Sequence, residues 1–161
     1  MSAERLTKAL ETLVGLHEQL NKIAVQKREF VKNNELENLQ ELLKVEGKFI
    51  QAVRQIDRAR DEAVNEIIQD STVDKTFSNC LNFVTQEERA QLQSLQQALL
   101  NELQQLQQQN QLNQELLQQS LHFVNFSIEM MLPEPEEYNY ERSEKPGQFS
   151  MEGRSIFDSK A

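Results

Sequence analysis

The 161-residue chain predicts an all-α fold: an elongated antiparallel bundle of three long helices plus one short helix, with a flexible C-terminal tail. Three observations predict it. All three prolines (Pro133, Pro135, Pro146) fall late, and before Pro133 the only glycines are Gly15 and Gly47. Proline and glycine punctuate turns, so a stretch nearly free of both is built from few, long elements. Within that stretch, apolar residues recur three and four positions apart, the period of a helix with one buried face. At Pro133 the character changes, which divides a coiled-coil-like helical bundle at 1–132 from a largely disordered acidic tail at 133–161.

The first helix is expected from about Ser2, a suitable cap, to Val31. Its apolar face carries Leu6, Leu10, Leu13, Leu20, Ala24 and Val31. His17 and Lys27 fall on the same face, and Lys27 is expected to snorkel its charge outwards. Asn33 and Asn34 break the pattern. Asn34 with Glu37 reads as a capping box that starts a second helix, reaching to about Ile68. Its apolar positions are Leu36, Leu39, Leu43, Phe49, Ile50, Val53, Ile56, Ala63, Val64 and Ile67. Gly47 costs that helix about 1 kcal/mol relative to alanine.

A polar loop, Asp70 to Asp74, follows. Phe77, Cys80, Leu81 and Val84 then sit at i, i+3, i+4 and i+7, a short amphipathic helix of about two turns. Thr85 with Glu88 is a second capping box and opens the longest helix, Gln86 to Leu132. Its apolar line runs through Leu92, Leu95, Leu99, Leu103, Leu106, Leu117, Val124 and Met131. At 1.5 Å per residue it is about 70 Å long and needs partner helices along its length. The Gln-rich stretch Leu103 to Gln119 stays helical, because leucine interrupts it at helical spacing and glutamine is a good helix former. Asn110 and Asn113 are placed on the seam. A buried polar pair there fixes bundle register, and a direct partner contact is the other reading.

Composition excludes several functions. A net charge of −9 disfavours nucleic acid and anionic membranes, which select clustered Lys and Arg. The single cysteine, Cys80, allows no internal disulfide and fits a reducing compartment. With no signal-like N-terminus and no apolar run long enough to insert in a bilayer, a cytoplasmic location is expected. No catalytic apparatus, cofactor or metal site is expected either. His17-Glu18 begins like a zinc-protease helix, but Asn21 stands where the second histidine is required. His122 has no ligand partner at metal spacing. Cys80 reads as a small core residue, and no glycine-rich phosphate loop exists.

The positive signal lies at the end of the last helix. Leu121, Phe123, Val124, Phe126, Ile128, Met130, Met131 and Leu132 wrap most of its circumference. A helix apolar all round is buried on all sides. Either the bundle's other segments cover this end, or it is left open for a guest, for which repackable methionines are suited. Beyond it Tyr138, Tyr140, Phe149, Ile156 and Phe157 form spaced anchors in a tail with seven acids against four bases, net −3. A homodimer closed along an exposed seam is compatible with the same pattern. So is a self-assembling structural coiled-coil or adaptor protein.

Asn110-x-x-Asn113 followed by Leu116-Leu117, Tyr138-Asn139 just past the helix, and the terminus Phe157-Asp158-Ser159-Lys160-Ala161 are similar to the pattern of one family. In these residues, and over essentially its whole length, the chain resembles the flagellar type III export chaperones of the FlgN kind. Many members carry a glycine soon after the tyrosine, where this chain has Glu141 and Arg142. The resemblance implies a cytoplasmic chaperone that binds the helical termini of hook-associated proteins of the FlgK and FlgL type. It would prevent their premature assembly and deliver them to the flagellar export apparatus. It also implies that Tyr138 matches a position used at the export gate.

Overall fold

The computed structural model describes residues 2–132. Four α-helices appear in order, α1 (Ser2–Lys32), α2 (Leu36–Ile67), α3 (Phe77–Cys80) and α4 (Gln86–Met131), and no strand occurs among the described residues. Compact units divide between Ser120 and Leu121, inside α4. The all-α class with three long helices and one short one is as the sequence predicts.

In the first unit α1 and α2 run antiparallel. Arg5 pairs with Glu62 and Glu66 at one end, and Lys27 pairs with Glu46 further along. The reversal between them differs from the expected capping box. The Asn34 side chain caps nothing; Asn34 is instead the residue that ends α1, in the left-handed region at φ 58°. Its N–H donates to Val31 O (3.3 Å), and the Glu35 N–H donates to Phe30 O (2.9 Å). This pair of bonds is a Schellman ending, in which asparagine is the usual substitute for glycine. Two adjacent asparagines serve a helix end as well as a helix start, which is why the spacing to Glu37 misleads. Helix α2 begins after Glu35 with no side-chain cap.

The second expected box is present. The Glu88 N–H donates to Thr85 Oγ1 (3.3 Å), and the Thr85 N–H donates to Glu88 Oε2 (2.8 Å). Between α2 and α4, Asp70 accepts from the backbone N–H (2.9 Å) and hydroxyl (2.7 Å) of Thr72. These bonds hold its carboxyl below the usual carboxylate range. Thr76 caps α3 by accepting from the Asn79 N–H at 3.2 Å. The predicted two-turn helix is one α turn followed by a 3₁₀ turn, Leu81–Phe83.

The apolar core gathers where α1 starts, α2 ends and α4 starts. Leu6, Leu10 and Leu13 of α1 meet Ala63, Val64 and Ile68, with Cys80, Leu81 and Leu92 closing the cluster. Leu6, Ile68, Cys80 and Leu92 are fully buried. Val53, Ile56, Phe77, Leu95 and Leu99 pack against its margin. Away from this cluster burial thins. Leu36, Leu43 and Ile50 of α2 are exposed although they lie on its predicted apolar face. Helix α4 runs parallel to α1, since Asn21 meets Glu102 and Arg28 meets Gln109.

Leu92→Ala removes a fully buried side chain from the cluster, and its expected cost is about 2–5 kcal/mol. Gly47 lies inside α2 with nothing within 4 Å of where a Cβ would stand. Gly47→Ala therefore stabilises the fold by about 1 kcal/mol. Urea denaturation followed by circular dichroism checks both signs.

Candidate functional site

The inner line of α4 determines where its apolar residues are displayed. At seven-residue intervals it carries Leu92, Leu99 and Leu106, and then Asn113, Ser120 and Ser127. Leu92 and Asn113 are buried, and the other four are half-buried. The expected continuation of the seam through Leu117, Val124 and Met131 is not what the structure has, since all three are exposed. A step of three where a step of four is needed rotates a position by about 100° around the helix. That offset also separates the two asparagines. Asn113 is buried, whereas Asn110 is exposed and forms no part of a buried pair.

Asn113 is fastened to α1. Its Nδ2 donates to Ala24 O (2.8 Å), and its Oδ1 accepts from Arg28 Nε (3.1 Å). Arg28 also donates to Gln109. One heptad earlier, Asn21 Nδ2 donates to Glu102 O (3.0 Å) and Oε2 (2.7 Å). Asn21 and Arg28 are seven residues apart, and so are Glu102 and Gln109. The same polar contact thus repeats one heptad on, a signal that was present in the sequence as polar residues at heptad spacing on two predicted helix faces. On the other side of α1, Lys27 does not snorkel outwards. It lies 2.7 Å from Glu46 of α2 in a mostly buried ion pair. This half of the bundle is therefore held in register by polar contacts, which cost desolvation but penalise misalignment.

In the second unit the described residues are 121–132, and their apolar side chains face solvent. Leu121 is 63% exposed, Phe123 69%, Phe126 55%, Met130 73% and Met131 84%, with Val124, Ile128 and Leu132 also exposed. At about 100° per residue they form two stripes. Leu121, Val124, Ile128 and Met131, spaced three, four and three, make an aliphatic stripe. Phe123, Phe126 and Met130, spaced three and four, make an aromatic one on nearly the opposite side. Ser127 separates the stripes along one edge, and His122, Asn125 and Glu129 separate them along the other. Soluble proteins rarely expose a contiguous apolar surface of this extent. Tyr138, Tyr140, Phe149, Ile156 and Phe157 lie outside the described residues.

Other chemistry is thin. His17 is buried, and its Nδ1–H donates to Leu13 O at 2.8 Å, which occupies it structurally. Cys80 is fully buried, and burial pushes its thiol pKa up, away from the reactive thiolate. Among the described residues no cluster of His, Cys, Asp or Glu has the geometry to hold a metal ion. No helix among them is long and apolar enough to cross a membrane.

The model of the family described as FlgN protein matches residues 1–146. The chain belongs to the FlgN family. Its members are flagellar export chaperones and in general not enzymes. This FlgN-family chain is also similar to "Uncharacterized protein YvyG" of Bacillus subtilis (strain 168), at 30% identity over 161 residues that span the whole of both chains. No solved structure matches it. The family match covers the polar register contacts and the apolar end of α4, so both belong to the matched region.

Asn113→Ala removes two hydrogen bonds at a buried position and is expected to cost roughly 1–3 kcal/mol. Asn110→Ala, at an exposed position, is expected to change stability by less than about 0.5 kcal/mol. Paired urea denaturation curves check the contrast.

Proposed function

We propose that this chain is a cytoplasmic chaperone for hook-associated proteins of the FlgK and FlgL type. It holds their helical ends before export and passes them to the export apparatus. The observation that carries the reading is the exposed apolar end of α4, Leu121 to Leu132, on a chain of a flagellar export chaperone family. In this reading the helical ends of the guest carry apolar faces of their own. An amphipathic helix laid against an apolar surface buries both.

The magnitudes favour the helix over the tail as the main binding surface. Burying an aromatic such as Tyr138, Phe149 or Phe157 contributes about 1.5–3 kcal/mol. Ordering a disordered segment on binding costs about 2–5 kcal/mol. The difference falls short of the roughly 8 kcal/mol of micromolar affinity. Leu121, Phe123, Phe126, Met130 and Met131 supply the rest, while Tyr138, Tyr140, Phe149, Ile156 and Phe157 add secondary contacts. Tyr138 is also the candidate contact with the export gate. Holding and release follow equilibrium binding with no chemical turnover. A net charge of −9 keeps a protein with so much exposed apolar surface soluble.

The experiment is size-exclusion chromatography of the full chain with a purified FlgK- or FlgL-type protein at tens of micromolar. Co-elution is expected, and separate elution would end the proposal. Truncation after Leu132 is expected to weaken the complex several-fold and leave the helix content of the bundle unchanged, as read by circular dichroism.

A further inference from the structure

Two opposed apolar stripes on one exposed helix cannot be covered by one guest helix. A helix offers a single apolar stripe little more than about 100° wide. The aliphatic stripe (Leu121, Val124, Ile128, Met131) is centred about 150° around α4 from the aromatic one (Phe123, Phe126, Met130). Polar residues separate them on both edges, with Ser127 on one side and His122, Asn125 and Glu129 on the other. Each stripe repeats by threes and fours, so each is a complete docking line for one helix. We infer that the end of α4 is clasped from opposite sides by two amphipathic helical segments of one guest polypeptide, making α4 the middle rod of a three-helix assembly.

The charge around the site sets the guest's chemistry. The last turn of α4 has no basic residue. Glu129 stands in that last turn, at the negative end of the helix dipole. Residues 121–132 contain no Lys or Arg at all, and Glu134, Glu136 and Glu137 follow in sequence. A second copy of this acidic chain meets like charge here, and so does its own acidic tail. A guest with Lys or Arg beside its apolar stripes meets opposite charge. The occupant is therefore a pair of amphipathic segments with basic flanks.

This inference rests on the proposed chaperone function, and the test separates the two. The full chain is titrated with a purified FlgK- or FlgL-type protein, comparing wild type, Leu121→Asp/Ile128→Asp on the aliphatic stripe and Phe123→Asp/Phe126→Asp on the aromatic stripe. All four positions are exposed, so unchanged helix content is expected and is checked by circular dichroism. Each double variant is expected to lose at least about tenfold in affinity. A photo-crosslinker at Ile128 and one at Phe126 are expected to capture two different helical segments of the same guest, and affinity is expected to fall as salt rises. Wild-type binding with only one stripe sensitive, or both crosslinkers reaching the same segment, overturns the two-sided clasp and leaves the chaperone reading standing. Crosslinks to a second copy of the chain or to residues 133–161 overturn the choice of occupant. Absence of wild-type binding overturns the inference and the chaperone reading together.

Discussion

Apolar burial along α4 stops halfway, and the rest of the structure follows from that. Its inward positions are leucine at 92, 99 and 106, then asparagine at 113 and serine at 120 and 127. The first half therefore joins Leu6, Leu10, Val64 and Ile68 in a core that excludes water. Past Leu106, α4 is fastened to α1 by the hydrogen bonds of Arg28 to Gln109 and Asn113 and of Asn113 to Ala24 O, and just before it by those of Asn21 to Glu102. The apolar residues of the last three turns lie off the inner line and face solvent. Had residues 113, 120 and 127 been leucine, the apolar line would run the length of the helix.

The two kinds of contact do different work. Burial of apolar surface is non-directional and supplies most of the folding free energy. A polar contact in a seam contributes little net stability, but leaving it unmade is expensive, so it selects one alignment among many. The repeated 21–102 and 28–109 contacts set the register of two parallel helices this way. Within the first unit, the polar groups thereby hold α4 in one alignment against α1.

Much of this was legible in the sequence. The scarcity of Pro and Gly, the 3–4 periodicity and the Thr85–Glu88 box located the long helices to within a residue or two. The apolar excess at Leu121–Leu132 stood out because only His122, Asn125, Ser127 and Glu129 interrupt it. Other features were not legible, for identifiable reasons. Asn34 ends one helix instead of starting the next, because asparagine serves both roles and its backbone conformation is invisible in sequence. Lys27 pairs with Glu46 although nothing local links residues on different helices. Which of Asn110, Asn113 and Leu117 turns inward depends on a rotation that periodicity alone leaves ambiguous. Leu36, Leu43 and Ile50 are exposed although their spacing puts them on the apolar face, because periodicity shows which residues share a face and not how far along it a neighbour reaches.

Hydrogen exchange along α4, with and without a hook-associated protein, tests the central claim most directly. Amides near Leu92 to Leu99 are expected to be the slowest, those from Leu103 to Ser120 faster, and those from Leu121 to Met131 the fastest in the free chain. On adding the guest, the last segment is expected to become strongly protected while the first changes little. Uniform protection along the free helix, or a guest that protects residues elsewhere and leaves Leu121–Met131 unaltered, would contradict the account.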